Sequence, residues 1–282
     1  MKKLLVLIFT VSLFIAPVFA KTDRLSEDYL KTGRHVAVLN PFAEGIVEHA
    51  IKRAIKKEAK GKYKVKFRGY TLESMKKGIF KYLEITGKNI NANDIHIPYC
   101  KIKTVTDYNW IAYNQDPVVF KSDVTFDSVV HLSEKTINDA LQTEEYNKVL
   151  RKINKLAFPL FTINKVTVKI RHNKVHIIMF YNSPLKPKPQ DKTFMVTSGF
   201  KAENGKIKTY GIGFDNAYGN LPLNKVTNLV NLINPLEFTT NLLNNEKSKC
   251  VIEKLKIEDD IIIINGKIYV KGEQSKWMLL KN

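Results

Sequence analysis

Residues 118–156 read VVFKSDVTFDSVVHLSEKTINDALQTEEYNKVLRKINKL, and this stretch decides the fold. From Val118 to Leu132 the even positions are apolar except Ser122 and Ser128, and most odd positions are polar. A period of two is typical of a strand with one buried and one solvated face. A strand of this length would span about 50 Å at about 3.3 Å per residue. We therefore expect one strand far longer than the usual length of about five or six residues.

The second half of the stretch predicts helices. The Ser133 hydroxyl can accept a hydrogen bond from an early helical N–H, so we expect Ser133 to be an N-cap. Apolar residues then follow at helical spacing: Ile137, Ala140, Leu141, Val149, Leu150, Ile153 and Leu156. We expect a break near Thr143, after which Glu144 and Glu145 begin a second helix.

Two basic elements precede this stretch. Asn40 and Pro41 predict the N-cap and first turn of a helix. The following strand, KYKVKFR, places Lys62, Lys64, Lys66 and Arg68 on one face. Such a row suits either anionic lipid head groups or a solvated sheet edge.

The chain after residue 160 predicts an antiparallel meander, with strands around residues 166–170 and 175–181 first. Between Asn216 and Asn245 the charged residues are Lys225 and Glu237. Within this stretch Val226, Leu229, Val230 and Ile233 have helical spacing until Pro235 interrupts it. Near the C-terminus, Asn265–Gly266 between apolar runs indicates a type I′ hairpin turn.

The N-terminus has the features of a secretory signal. Lys2 and Lys3 precede an apolar run at residues 4–16, and Val18, Phe19 and Ala20 suit a signal peptidase. We expect cleavage near Ala20 and export to the periplasm, the cell envelope or the extracellular space. The alternative is an uncleaved anchor. After the signal, we expect residues 21–39 to form a lead-in segment and residues 40–282 to form one domain.

Net charge indicates the class of partner, and the cysteine count limits the possible disulfides. The formal net charge is +19, which favours anionic partners such as lipid head groups, wall polymers or nucleic acid. No nucleic-acid-binding module is recognisable, so we expect no specific nucleic-acid partner. Cys100 and Cys250 are the only cysteines, and in an exported protein they are either paired or buried thiols.

No catalytic or metal-binding motif stands out. The sequence lacks an HExxH helix, a G-x-S-x-G elbow, a phosphate-binding glycine loop and a CxxC pair. We therefore predict a protein without catalysis, cofactor or metal. The pattern of strands and helices, taken alone, is typical of an ordinary closed α+β core.

Three segments resemble the LmeA-like phospholipid-binding proteins of bacterial envelopes. They are GIFKYLEITGKNINANDIHI at 78–97, VTFDSVVHLSEKTINDALQTEEYNKVL at 124–150 and IIIINGKIYVKG at 261–272. The likeness covers roughly residues 40–272 and is a pattern of apolar spacing. The matched residues are Gly87, Leu132, Asn138, Ala140, Leu141 and Gly266.

The resemblance implies a fold similar to tubular lipid-binding proteins. In such a fold a long, strongly curved antiparallel sheet wraps around amphipathic helices, and an elongated apolar channel holds acyl chains. We expect an anionic phospholipid partner, with its head group on Lys62, Lys64, Lys66 and Arg68. An envelope adaptor that binds a protein or an anionic polymer is the alternative. The expected acyl-chain lining is Val124, Phe126, Val130, Ile137, Leu141, Val166, Val168, Ile170, Val226, Leu229, Val230 and Ile233.

Overall fold

The structure, a computed structural model, describes residues 36–92, 94–112, 119–157, 162–182, 192–214, 223–241, 248–258 and 260–273. The predicted signal peptide, residues 21–35 of the lead-in segment, Val118 and the side chain of Val226 lie outside the described part. That part is α+β, and its strand pairs are antiparallel. The predicted fold class is confirmed at this level.

The described strands and helices follow one another along the chain. The strands are β1 (Lys60–Arg68), β2 (Ile79–Phe80), β3 (Tyr82–Ala92), β4 (Ile95–Thr104), β5 (Asn109–Ala112), β6 (Val119–Phe120), β7 (Val124–Ser133), β8 (Thr162–Arg171), β9 (Lys174–Asn182), β10 (Lys192–Glu203), β11 (Lys206–Phe214), β12 (Ser248–Glu258) and β13 (Ile261–Val270). The helices are α1 (Val36–Glu58), α2 (Leu72–Lys76), α3 (Glu134–Leu141), α4 (Glu144–Ala157), α5 (Leu223–Ile233) and α6 (Pro235–Asn241).

The strands form three sheets. The largest has six strands in the order β1, β3, β4, β7, β13, β12. The second is the predicted meander, β8 to β11, with four strands in sequence order. A small sheet of β2, β5 and β6 lies beside them.

The predicted single strand over the opening stretch is wrong in its length. Val119–Phe120 pairs with β5 in the small sheet, and β7 begins only at Val124. Asp123 Oδ1 accepts a hydrogen bond from the Gly272 N–H at 2.8 Å. A Cβ added to Gly272 would lie 2.3 Å from the backbone of Ser122. The chain leaving β13 therefore packs against the backbone between β6 and β7, where the strand pairing is interrupted.

The predicted turn at Asn265–Gly266 is also wrong, because both residues lie inside β13. The chain reverses instead between β12 and β13. Gly266 pairs with Ile252 beside a bulge in β12, and a Cβ added to Gly266 would lie 2.4 Å from the Val251 carbonyl oxygen. The glycine permits a close backbone approach at the bulge.

The helix start predicted at Asn40–Pro41 is wrong as well. Helix α1 begins at Val36 and contains Pro41. Proline removes one backbone donor, and the helix continues past it. On α1, Ile51 and Ile55 are fully buried, while Phe42 is 62% exposed.

The predicted helix pair after β7 is confirmed. Ser133 caps α3, and its hydroxyl and that of Thr136 bond each other's backbone N–H in a capping box. The break falls between Leu141 and Glu144. Helix α5 likewise ends at Ile233, and Pro235 begins α6.

The apolar side chains form two cores that share strands. The first core lies between α1 and the strands β1, β3 and β4, and it includes Phe126 of β7. The second lies between the helices α3 to α6 and the four-stranded sheet, and it includes Leu132 of β7. Val130 and Cys250 pack against both cores.

Helix side chains bond the open edges of both large sheets. On α1, Glu48 accepts from the Phe67 N–H at 2.8 Å, and Glu44 accepts from the Gly69 N–H at 2.9 Å. These N–H groups belong to β1, an edge strand, and to the residue that follows it. The helix thus bonds backbone groups that would otherwise be able to pair with another chain.

The edge strand β8 is closed by asparagines. Asn138 on α3 accepts from the Val168 N–H at 2.8 Å and donates to the Val168 carbonyl at 2.9 Å. Asn154 on α4 makes the same pair of bonds with Ile163 at 2.8 and 2.9 Å. Each amide imitates a neighbouring strand and ties a helix to the sheet edge.

We expect Gly266→Ala to lower the free energy of unfolding by about 1–3 kcal/mol, because the added methyl group overpacks the bulge. Urea denaturation measures the change. Gly213→Ala is the matched control, since an added Cβ on this strand glycine has no heavy atom within 4 Å. Equal stability of the two variants would contradict the close approach at Gly266.

We expect Asn138→Ala to cost about 1–3 kcal/mol, because it leaves backbone groups of β8 without their partner. Hydrogen exchange at the Val168 amide should accelerate in parallel. Asn228→Ala, at an exposed position on α5, is the control and should leave both quantities nearly unchanged. Unaltered exchange at Val168 would show that the asparagine does not close the edge.

Candidate functional site

A small apolar cavity of about 70 Å³ lies where the two cores meet, and we call it the junction cavity. The first core lines it with residues of β1, β3 and β4: Tyr63, Ile85, Ile90, Ile95, Ile97 and Ile102. The central strands add Val130, Leu132, Ile264 and Ile268, and β12 adds Ile252. Helices α3 and α6 add Thr136, Thr239 and Thr240.

Strand alternation produces this lining. On β4, Ile95 and Ile97 face inward and are buried, while His96 between them is only half-buried. On β13, Ile262, Ile264 and Ile268 likewise face inward and are buried. The six-stranded sheet therefore presents one continuous apolar face, and the junction cavity lies against its middle.

The hydroxyl groups around the junction cavity bond to backbone or to one another. Ser128 donates to the Gly266 carbonyl at 3.0 Å, Thr239 to the Pro235 carbonyl at 2.7 Å and Thr240 to the Leu236 carbonyl at 3.1 Å. Tyr63 donates to the Ala59 carbonyl at 3.2 Å. A buried water needs about two to four polar partners. These groups have none to spare on their donor side, so the cavity favours an apolar occupant.

Cys100 on β4 and Cys250 on β12 both line the junction cavity. They are thiols and form no disulfide. Two strands, β7 and β13, separate β4 from β12 in the sheet, whereas a disulfide needs Cα atoms within about 7 Å. Burial raises the pKa of the Cys100 thiol to about 12 and that of Cys250 to about 11. Both thiols are therefore protonated and unreactive near neutral pH.

A second, more polar pocket adjoins the junction cavity. Its volume is about 280 Å³, and it lies between the β10–β11 turn, α6 and the first residues of β12. Thr240, Cys250 and Ile252 line both spaces. We call this second space the mouth pocket, because it shares part of its lining with the junction cavity and includes exposed residues.

The predicted acyl-chain lining falls mainly in the two cores. Among the predicted residues whose side chains the structure describes, Val130 alone lines the junction cavity. Val124 and Phe126 are buried in the first core. The second core buries Ile137, Leu141, Val166, Val168, Ile170, Val230 and Ile233, and Leu229 packs against it.

The lining on β3, β4, β12 and α6 was missed by the prediction. A signal for part of it was present, because the alternation IHI at residues 95–97 marks an inward face. Thr239 and Thr240 gave no such signal, since threonines on a helix predict no cavity wall.

The predicted head-group cations lie on the opposite face of β1 from Tyr63, which lines the junction cavity. Lys66 pairs with Glu84 at 3.1 Å, and Arg68 pairs with Glu44 at 3.1 Å. Lys62 and Lys64 are exposed and have no ion pair within the described residues. The row therefore faces away from the junction cavity, and two of its members already neutralise acids.

Glu84 organises these charges on the outer face of the six-stranded sheet. Burial raises the pKa of its carboxyl, but hydrogen bonds from Tyr82, Lys101 and Lys66 outweigh burial and place the pKa at about 2. The Lys101 ammonium lies 3.0 Å from the carboxylate. The carboxylate stays ionised at neutral pH and cross-links β1, β3 and β4.

Polar side chains on the four-stranded sheet bond to one another. His176 on β9 bonds the Thr197 hydroxyl at 2.8 Å. Within the described ranges no three His, Cys, Asp or Glu side chains are placed to hold a metal ion.

We expect Cys100 and Cys250 to react slowly with a thiol reagent in the folded protein, because their raised pKa values leave little thiolate. Between pH 7 and 9 the rate should rise about tenfold per pH unit, as the thiolate fraction does. Both thiols should react at once in urea. Fast labelling of the folded protein, or fewer than two thiols in urea without reductant, would contradict this.

Within the described residues, no helix has the length and apolar character needed to cross a bilayer. Comparison of the sequence with protein-family models and with curated proteins finds no match.

Proposed function

We propose that the protein binds a phospholipid in the bacterial envelope, with an acyl chain in the junction cavity. The observation that supports this proposal most is the apolar cavity between the two cores. The hydroxyl groups that line this cavity donate hydrogen bonds within the protein. Such a lining suits a hydrocarbon chain, since lipid sites are concave and mostly apolar. Carriage of the lipid would follow from reversible binding and needs no catalysis.

An acyl chain needs more room than the junction cavity provides. The junction cavity holds about 70 Å³, whereas ligand pockets usually hold about 300–1,000 Å³. A chain inside this cavity therefore requires one of its walls to move outward. The mouth pocket, which adjoins it, supplies further volume.

Helix α6 is the wall that we expect to move. It is seven residues long, and its N-terminal end is anchored where Asn234 donates to the Ile207 carbonyl at 3.1 Å. The Phe238 ring packs on Tyr146 at 4.9 Å between centroids. Near its other end, the hydroxyls of Thr239 and Thr240 donate only to backbone carbonyls within α6. These two hydroxyls therefore do not tie this end of α6 to another strand or helix, and a shift of this end would keep their hydrogen bonds.

The expected curved and tubular arrangement belongs to this proposal. Two cores along the same central strands give one apolar sheet face that runs from α1 to α3. An acyl chain along this face would lie between the cores, as the resemblance to tubular lipid-binding proteins implies. The signal-like N-terminus supports a role for such a protein outside the cytoplasm.

A second candidate function is an envelope adaptor. Tyr108 is 53% exposed and Val105 is 47% exposed, and the Tyr70 hydroxyl donates to the Asp107 carbonyl close by. These side chains form an apolar surface at one end of the small sheet, which would suit a protein partner.

We expect Val130→Phe to reduce phospholipid binding on the order of tenfold, because filling a packed site typically costs about 1–3 kcal/mol. Native mass spectrometry after incubation with phosphatidylglycerol and phosphatidylethanolamine vesicles measures the fraction carrying a phospholipid mass. Val129→Phe is the matched control, since Val129 is the adjacent residue on the opposite face of β7. Circular dichroism first shows that both variants are folded.

Two results would count against the proposal. Wild-type protein that stays without lipid after this incubation would favour the adaptor. Equal lipid loading of the two variants would exclude the junction cavity as the acyl-chain site.

A further inference from the structure

The mouth pocket has a fixed frame. The Ile252 N–H of β12 donates to the Gly205 carbonyl of the β10–β11 turn at 3.0 Å. Asn204 and Gly205 have φ values of 52° and 75°, typical of a tight hairpin turn. This bond ties the four-stranded sheet to the edge of the six-stranded sheet. It therefore fixes the distance between Lys206, which follows the turn, and Lys249 on β12.

Among the described residues, the cations that line the mouth pocket are these two lysines. Both line it and both are exposed. Glu203 is the acid nearest to Lys206 in sequence, but its carboxylate pairs with Lys201 and Lys208 at 2.6 Å each. Neither Lys206 nor Lys249 has an ion pair among the residues that the structure describes.

One acid also lines the mouth pocket. Glu237 on α6 accepts a hydrogen bond from the Asn234 side chain at 3.4 Å. Within the described lining, two ammonium groups against one carboxylate leave an excess positive charge. Asn204 adds an amide beside them. A rim of this kind favours an anion with several acceptor oxygens.

We propose that Lys206 and Lys249 hold the anionic head group, a phosphate or carboxylate, of the lipid whose chain occupies the junction cavity. This inference rests on the proposed function. Because Thr240, Cys250 and Ile252 line both spaces, a head group held at the mouth pocket would lie next to the cavity that holds the chain. The row on β1 is not adjacent to the cavity in this way, because it lies on the other face of its strand.

The test compares two double variants with the same loss of charge. Lys206→Gln/Lys249→Gln removes the cations of the mouth pocket, and Lys62→Gln/Lys64→Gln removes two exposed lysines of β1. Each is titrated with phosphatidylglycerol and with diacylglycerol of the same chains, both in mixed micelles. Inorganic phosphate, titrated alone, distinguishes a lipid head group from a free anion. Urea denaturation confirms that both variants are folded.

We expect the mouth-pocket variant to lose about tenfold or more in affinity for phosphatidylglycerol, because charged hydrogen bonds are the strong ones. Its affinity for diacylglycerol should be unchanged, and the β1 variant should keep both affinities. Equal losses in the two variants, or no loss in either, would overturn the head-group assignment while leaving the acyl-chain site in place.

Two further outcomes separate this inference from the proposed function. Wild-type protein that binds neither lipid would contradict the acyl-chain site itself, and the head-group assignment would fall with it. Binding of inorganic phosphate that the mouth-pocket variant loses, without binding of either lipid, would overturn the lipid as the source of the anion.

Discussion

The antiparallel pairing of β7 with β13 is the constraint on which the rest of the structure depends. It is continuous from Val124 opposite Val270 to Ser133 opposite Ile261. Side chains alternate along both strands, so one face of the pair is apolar except at Ser128, which lies opposite Gly266. One end of that face packs against the first core and the other end against the second. The place where the cores meet is thereby fixed on these two strands.

The edges of the sheets explain why the interior between the cores can stay apolar. Glu44 and Glu48 bond the edge at β1, while Asn138 and Asn154 bond the edge at β8. Helices held in this way cover the sheets and bring only a few hydroxyl groups to the junction cavity. The Ser128, Thr239 and Thr240 hydroxyls there donate to backbone carbonyls. Hydrogen bonds completed in this way leave a mostly apolar lining.

The positions of the acidic residues determine which lysines and arginines are paired and which can bind an anion. On the outer face of the six-stranded sheet, acids and bases alternate across strands: Lys66 with Glu84, Lys103 with Asp127, and Lys267 with Glu253. These pairs use charge to join neighbouring strands. At the mouth pocket, two lysines and one glutamate of the described residues line the wall, and the lysines adjoin an apolar cavity. The mouth pocket differs from the row on β1 mainly because it lies beside the junction cavity, and less because of its number of cations.

The sequence by itself determined the local elements. Alternation identified β1 and the meander, and the Ser133 cap and the helix break near Thr143 were predicted because capping and helical spacing involve residues within one or two turns. The sequence did not determine the end of the opening strand or the role of Gly266, since both depend on contacts with chain more than 100 residues away or on a neighbouring strand. Only the tertiary structure decided which apolar residues line a cavity. Alternation tells which face of a strand is buried, but the order of strands in the sheet places Ile97, Ile252 and Thr240 around one space.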